Sequence, residues 1–160
     1  MGKLTPAITG KLVAFDSAPL IYYFEEHIEY LAAADELFNA ISQGLTRGMT
    51  SILTLLEVLV KPLRSGRHDL AGDYRRILCN TQGVAIYPID RNICERAAQL
   101  RADNIWLGTP DAVQIATALE HGAEVIVTND ERWKRPVADS DCRHERLHLV
   151  RLAVAVYLEK

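Results

Sequence analysis

The sequence predicts an α/β fold, a central and mostly parallel sheet with helices on both faces, and three observations carry that reading. Four short apolar, β-rich runs, at residues 12–15, 49–52, 84–87 and 124–128, have the length and continuous apolarity of strands buried on both sides. Longer segments with apolar residues at helical spacing lie between them. The two kinds alternate along the chain, as parallel strands joined by crossover helices require.

The elements follow in order. After the first strand, residues 30–42 put Leu31, Ala34, Leu37, Phe38 and Ile41 on one helical stripe, and Gly44 stops it. A second helix spans residues 54–63, and a third spans 69–80 and ends before Gly83. Asp90 caps a fourth, running to residue 102. Thr109 reads as N-cap and Pro110 as first residue of a fifth, which runs to residue 121 and stops at Gly122. A late strand at residues 147–152 closes the sheet, and the chain ends in a short apolar helix or tail. In such sheets function gathers at the carboxyl ends of the strands.

Composition narrows the class. The chain has 160 residues, 49% hydrophobic and 24% charged, which fits one globular domain spanning residues 1–160. No apolar run approaches the roughly 18–20 residues that cross a bilayer, and residues 1–11 have no signal-peptide pattern. The expectation is therefore a cytoplasmic protein with no membrane association. Cys79, Cys94 and Cys142 are widely spaced, form no zinc pattern, and read as ordinary packed thiols, Cys142 the most exposed. The net charge of −3 argues against a protein that coats nucleic acid. It is neutral toward an enzyme whose acids are gathered in a metal site.

Four carboxylates stand out. Asp16 directly follows the first strand, and Asp130 ends Val125-Ile-Val-Thr-Asn-Asp130, so both sit at strand carboxyl ends. Asp111 lies in the first turn of its helix, where the helix dipole alone would favour it. Glu57 is the least ordinary: Leu53 and Val60 are its helical neighbours and Leu56 and Val58 flank it. A carboxylate on an apolar stripe costs several kcal/mol unless it is paired or binds a metal. The structural alternative is a glutamate paired with Lys61, at plus four. A cluster of acids calls for a cation, and Mg²⁺ and Mn²⁺ prefer oxygen ligands. Such an ion activates water and orients a phosphodiester, so no histidine base is needed. His27, His68, His121, His144 and His148 accordingly read as surface or helix-end residues.

Phe15-Asp16-Ser17-Ala-Pro-Leu-Ile-Tyr22, Ser51-Ile-Leu-Thr-Leu-Leu-Glu57-Val, Thr109-Pro-Asp111-Ala-Val-Gln-Ile-Ala-Thr-Ala118 and Val127-Thr-Asn-Asp130 resemble, in order and spacing, the four motifs of PIN domains. The closest resemblance is to the VapC toxins of bacterial toxin–antitoxin pairs, over about residues 12–152. The resemblance implies a PIN-like three-layer α/β/α sandwich and a Mg²⁺- or Mn²⁺-dependent endoribonuclease. It also implies a homodimer held inactive by a cognate VapB-like antitoxin. It assigns Asp16, Glu57, Asp111 and Asp130 as catalytic, metal-holding acids, with Ser17, Thr128 and Asn129 in support. The family's first motif commonly reads Asp-Thr-Asn; here Ser17 keeps the hydroxyl and Ala18 lacks the amide. The basic stretch at residues 131–146 is longer than the resemblance leads one to expect.

Arg64, Arg67, Arg75, Arg76, Arg101, Lys134 and Arg135 are candidates for phosphate contacts, Arg64, Arg67, Arg101, Lys134 and Arg135 foremost. Trp106 and Trp133 are candidates for stacking on unpaired bases or for core packing. A phosphorylated receiver domain is disfavoured because no acidic pair follows the first strand, and a DxD phosphatase because position 18 is Ala18. The remaining rival is a catalytically inactive PIN-fold module that binds RNA or protein. The dimer and antitoxin surface is expected on residues 55–63 and the helix at 69–80.

Overall fold

Alternation within each strand builds two cores from one sheet, in a computed structural model that describes residues 4–134 and 148–151. The chain runs α1 (Leu4–Ile8), β1 (Leu12–Phe15), α2 (Ser17–Phe24), α3 (Leu31–Ser42), β2 (Arg47–Ser51), α4 (Ile52–Arg64), α5 (His68–Asn80), β3 (Val84–Tyr87), α6 (Arg91–Asp103), α7 (Thr109–Glu120) and β4 (Val125–Thr128). A 3₁₀ turn at Glu131–Lys134 and β5 (His148–Arg151) complete it. The strand order is β3-β2-β1-β4-β5, and every pairing is parallel. Ala14 lies between Met49 on β2 and Ile126 on β4.

Side chains two apart point to the same face of a strand. Val13, Phe15, Val125 and Val127, with Val84 and Ile86, pack under α1 to α5. Leu12, Ala14, Met49, Ile126, Ala85 and Tyr87 pack under α6 and α7. The result is the three-layer α/β/α sandwich that the sequence predicts. Gly48 permits the close approach of α3 to the sheet, because a Cβ there would stand 2.7 Å from Ile41 Cδ1 and 3.1 Å from Phe15 Cε1. Gly44 ends α3 with φ of +71°, a conformation that side-chain-bearing residues rarely adopt.

The predicted elements are present with shifted ends, save the short helix or tail at the end of the chain, which lies outside the described residues. Two helices, α1 and α2, were not predicted. The fifth predicted helix starts one residue early: the Ala112 N–H donates to the Gly108 carbonyl at 2.9 Å, so Gly108, not Thr109, is the N-cap. Asp111 nevertheless stays in the first turn. Asp90 caps α6 as expected, accepting from the Ile93 N–H at 2.9 Å. Cys79 and Cys94 are free and exposed, not packed, because α5 and α6 turn them to solvent; Cys142 lies outside the described residues. Among the described residues no helix is long and apolar enough to cross a membrane.

This topology sets the position of the site. The chain steps from β1 outward through β2 to β3, then returns across the sheet to β4 on the other side of β1. The crevice where the order reverses opens at the carboxyl ends of β1 and β4, the usual ligand position in open α/β sheets. Asp16 and Thr128 stand at those two ends.

Candidate functional site

Asp16 is the first residue after β1 and caps α2, its Oδ1 accepting from the Ala18 N–H at 3.0 Å. This cap accounts for only one of its oxygens. Oδ2 accepts from the Thr128 hydroxyl across the sheet at 2.5 Å. Burial pushes the Asp16 carboxyl up to about 7, against the pull of those two hydrogen bonds, with nearby Glu57 and Asp111 adding repulsion. Protonation is thus favoured by the dry position and by like charges.

Glu57 lies on α4, where residues 52–64 carry a strongly one-sided apolar pattern. Its carboxyl is also raised, by burial first, while the polar side chains of Ser17 and Gln114 pull it down and Asp111 repels it. The Lys61 pairing fails: Lys61 Nζ reaches Glu25 Oε2 at 2.6 Å instead.

A buried relay holds α4 and α7 against the strands. The Thr50 hydroxyl donates to the Phe15 carbonyl at 2.6 Å. With that proton committed, Thr54 must donate to Thr50 over their 2.7 Å contact. Thr54 in turn accepts from Gln114 Nε2 at 2.8 Å. Gln114 was not singled out from the sequence. Its signal was a polar residue three positions after Asp111, on the same helical face, within an otherwise apolar run.

Asp111 is raised by burial and by Asp130, and lowered by Arg132 and Trp133. Asp130 follows β4 and Asn129; its backbone N–H donates to the Thr128 hydroxyl at 3.1 Å. Asn129 Nδ2 donates to the Tyr22 hydroxyl at 2.9 Å, tying this loop to α2. Asp16, Glu57 and Asp111 thus feel one another's charge, and Asp111 feels Asp130. The acids are neighbours without converging on one point: among the described residues no three acidic, histidine or cysteine side chains stand close enough to hold an ion. The donor set nonetheless suits a hard divalent cation, being all carboxylate oxygen and electrostatically unfavourable without one.

Arg132 was absent from the sequence-predicted bases. Its Nη2 donates to Asp111 Oδ2 at 3.0 Å and its Nε to both oxygens of Asp130 at 3.0 Å, with a further Nη2 contact to Asp130. The other bases are placed differently. Arg64 is exposed at the end of α4, roughly 10 Å along the helix from Glu57. Arg67 pairs with Asp69 at 3.1 Å and Arg76 with Asp73 at 2.7 Å. Arg75 is exposed on α5. Arg101 donates to the Leu107 carbonyl at 3.2 Å, bracing the loop before α7. Lys134 closes the 3₁₀ turn, and Arg135 lies outside the described residues. Trp133 is 2% exposed and packs in the core beneath α6 and α7, which removes it as a base-stacking surface; Trp106 packs partly against the same core.

A family model of the PIN domain matches residues 13–138. No curated protein matches the chain. Among solved structures, the chain is similar to a toxin–antitoxin complex from Klebsiella pneumoniae, at 26% identity and a TM-score of 0.59, over 74% of this chain and 86% of that one. It shares the fold of VapBC2 from Rickettsia felis, bound there to a DNA fragment from its promoter, at 14% identity and a TM-score of 0.66, over 88% of this chain and 98% of that one. It shares the fold of VapC20 from Mycobacterium tuberculosis, a sarcin–ricin loop cleaving toxin, at 19% identity and a TM-score of 0.58, over 71% of this chain and 86% of that one.

Proposed function

The chain belongs to the PIN-domain family, and from that premise we propose that it is a Mg²⁺- or Mn²⁺-dependent endoribonuclease, the toxin of a VapBC-type toxin–antitoxin pair. The observation that carries this reading is the mutual repulsion of Asp16, Glu57 and Asp111 at the carboxyl ends of the central strands. Each is partly buried, and Asp16 is held by neutral donors alone, which is costly for stability and useful for holding a cation. Asp130 completes the set. A divalent ion held there supplies positive charge for a scissile phosphate and lowers the pKa of an attacking water.

The chain's own residues prepare that chemistry. Thr128 and the α2 backbone fix both oxygens of Asp16. Ser17 and Gln114 orient Glu57, and the Thr50–Thr54 relay fixes Gln114. Asn129 and Tyr22 clasp the loop that bears Asp130. Asp16 releases its proton when a cation neutralises the cleft, so affinity for the ion rises with pH. We assign Arg64, Arg67, Arg101, Lys134 and Arg135 to the surrounding RNA contacts. The whole chain, residues 1–160, acts as one domain in the cytoplasm.

The partner surface is α4. Ile52, Leu56, Val60 and Leu63 are exposed, at 37%, 61%, 44% and 42%, and follow one another at helical spacing. Together with α5 this face serves the homodimer and the VapB-like antitoxin. The K. pneumoniae likeness, a toxin–antitoxin complex, supports the antitoxin assignment.

The test is incubation of the purified protein with single-stranded and structured RNA, with Mg²⁺, Mn²⁺ or excess EDTA. Cleavage should require the ion and vanish in Asp16→Asn. Cleavage undiminished in EDTA overturns the metal assignment. No cleavage with any ion or RNA leaves the inactive binding module as the better account.

A further inference from the structure

We propose that Arg132 is a built-in competitor for the divalent ion, a guanidinium that occupies two of the acids until the ion displaces it. The inference rests on the metal-dependent reading above. The guanidinium spans Asp111 and Asp130, bonding the first through Nη2 and the second through Nε and Nη2. Any ion held by either carboxylate must share or take the oxygens that Arg132 now holds. Two unit positive charges on one pair of carboxylates repel each other, so binding of the ion and closure of the arginine oppose one another.

Local structure makes this contact more than a passing surface pair. The backbone N–H of Arg132 donates to Asp130 Oδ1 at 2.8 Å, which sets the start of its side chain beside the acid. The next residue, Trp133, is buried and pins the 3₁₀ turn to the core. The two carboxylates are 20% and 23% exposed, whereas the arginine side chain is 60% exposed and has room to leave.

A second observation points the same way. Trp133 Nε1 is buried and has no hydrogen-bond partner among the described residues. Asp111 is the carboxylate whose charge this indole stabilises, without hydrogen-bond geometry between them. A buried orphan donor is expensive, and native folds usually satisfy it. With Arg132 drawn away, Asp111 is free to turn and accept from the indole. The indole thus leaves Asp111 a neutral donor when Arg132 is drawn away.

The experiment is calorimetric titration of Mn²⁺ into the full chain, its Arg132→Gln variant and an Arg91→Gln control. Arg91 carries the same charge on an exposed pair with Glu95. A site closed about nine-tenths of the time binds its ligand about tenfold more weakly than an open one. Arg132→Gln should therefore bind Mn²⁺ about tenfold more tightly than the parent, and Arg91→Gln within twofold of it. In parallel, the Nε–Hε resonance of Arg132, identified by its loss in Arg132→Gln, should move on saturation with Mg²⁺. Binding by Arg132→Gln alone is the extreme form of the competition and supports it. Equal binding by parent and Arg132→Gln, or an unmoved resonance at saturating Mg²⁺, overturns the proposal and leaves the metal site intact. Absence of binding in all three proteins overturns the metal reading and the competition together.

Discussion

Replacing Asp16 by Asn should stabilise the metal-free protein above neutral pH and flatten its dependence on pH. Burial and two neighbouring acids raise the Asp16 carboxyl from 3.8 to about 7. Between those values the folded protein keeps a proton that the unfolded chain has lost. Stability therefore falls as pH rises through that window, because the unfolded state binds fewer protons. The full shift corresponds to roughly 4 kcal/mol against the ionised form. Water entry on ionisation halves this to about 2 kcal/mol. Asn keeps the acceptor for the Ala18 N–H, but its amide faces the Thr128 hydroxyl, which loses its acceptor. That loss costs about 1 kcal/mol. The net gain at pH 8 is about 1 kcal/mol, or about 2–4 °C in melting temperature for a chain of this size. The assay is thermal unfolding in EDTA from pH 5 to pH 8, read as the difference between the two proteins so that histidine titration cancels. Glu57 and Asp111 are raised as well, so some slope persists in the variant. A variant that melts lower than the parent at pH 8, with a parallel pH curve, would refute the idea that Asp16 is held against its own charge.

Three further outcomes follow from the same geometry. Gln114→Leu deletes the donor to Thr54, and the polar neighbour of Glu57, from a position 7% exposed; we expect a loss of about 1–2 kcal/mol in urea unfolding and a further loss of RNA cleavage beyond that of equally destabilised core variants. Gly48→Ala forces a Cβ to within 2.7 Å of Ile41 Cδ1, and should cost about 1–3 kcal/mol in the same assay without changing the ion requirement of cleavage. Leu56→Asp alters a side chain 61% exposed, so melting temperature should hold while light scattering shifts toward monomer; an unchanged dimer would remove α4 from the interface.

Much of the fold was legible because buried parallel strands leave a continuous apolar signature, and Asp90, Gly44 and Gly122 punctuate the helices between them. The two unpredicted helices lack that signature for physical reasons. The five residues of α1 form barely more than one turn, too short for periodicity to register. The sequence Ser-Ala-Pro-Leu-Ile-Tyr-Tyr-Phe of α2 is apolar nearly all round, so no face contrasts with another. The early start of α7 is a matter of which carbonyl accepts the first helical bond, which backbone geometry decides and Thr109's good capping chemistry does not.

The candidate acids were legible for a different reason than their surroundings. Glu57 breaks a local rule, a charge on an apolar stripe, and such breaks mark places where something other than stability is being served. Thr128 and Asp16 are 112 residues apart, and only the parallel pairing of β1 with β4 brings hydroxyl to carboxylate. Arg132 breaks no rule at all. An exposed arginine after a strand is ordinary in sequence, and its proximity to Asp111, 21 residues earlier, exists only once the start of α7 lies beside the loop that follows β4. A sequence reading that ranks bases by clustering finds residues such as Lys134 and Arg135 and passes over the one that touches the acids. The group that most directly sets the free charge of this cleft is therefore the one least visible before folding. For that reason the occupancy of Arg132, more than the number of acids, should govern how readily the site takes up an ion.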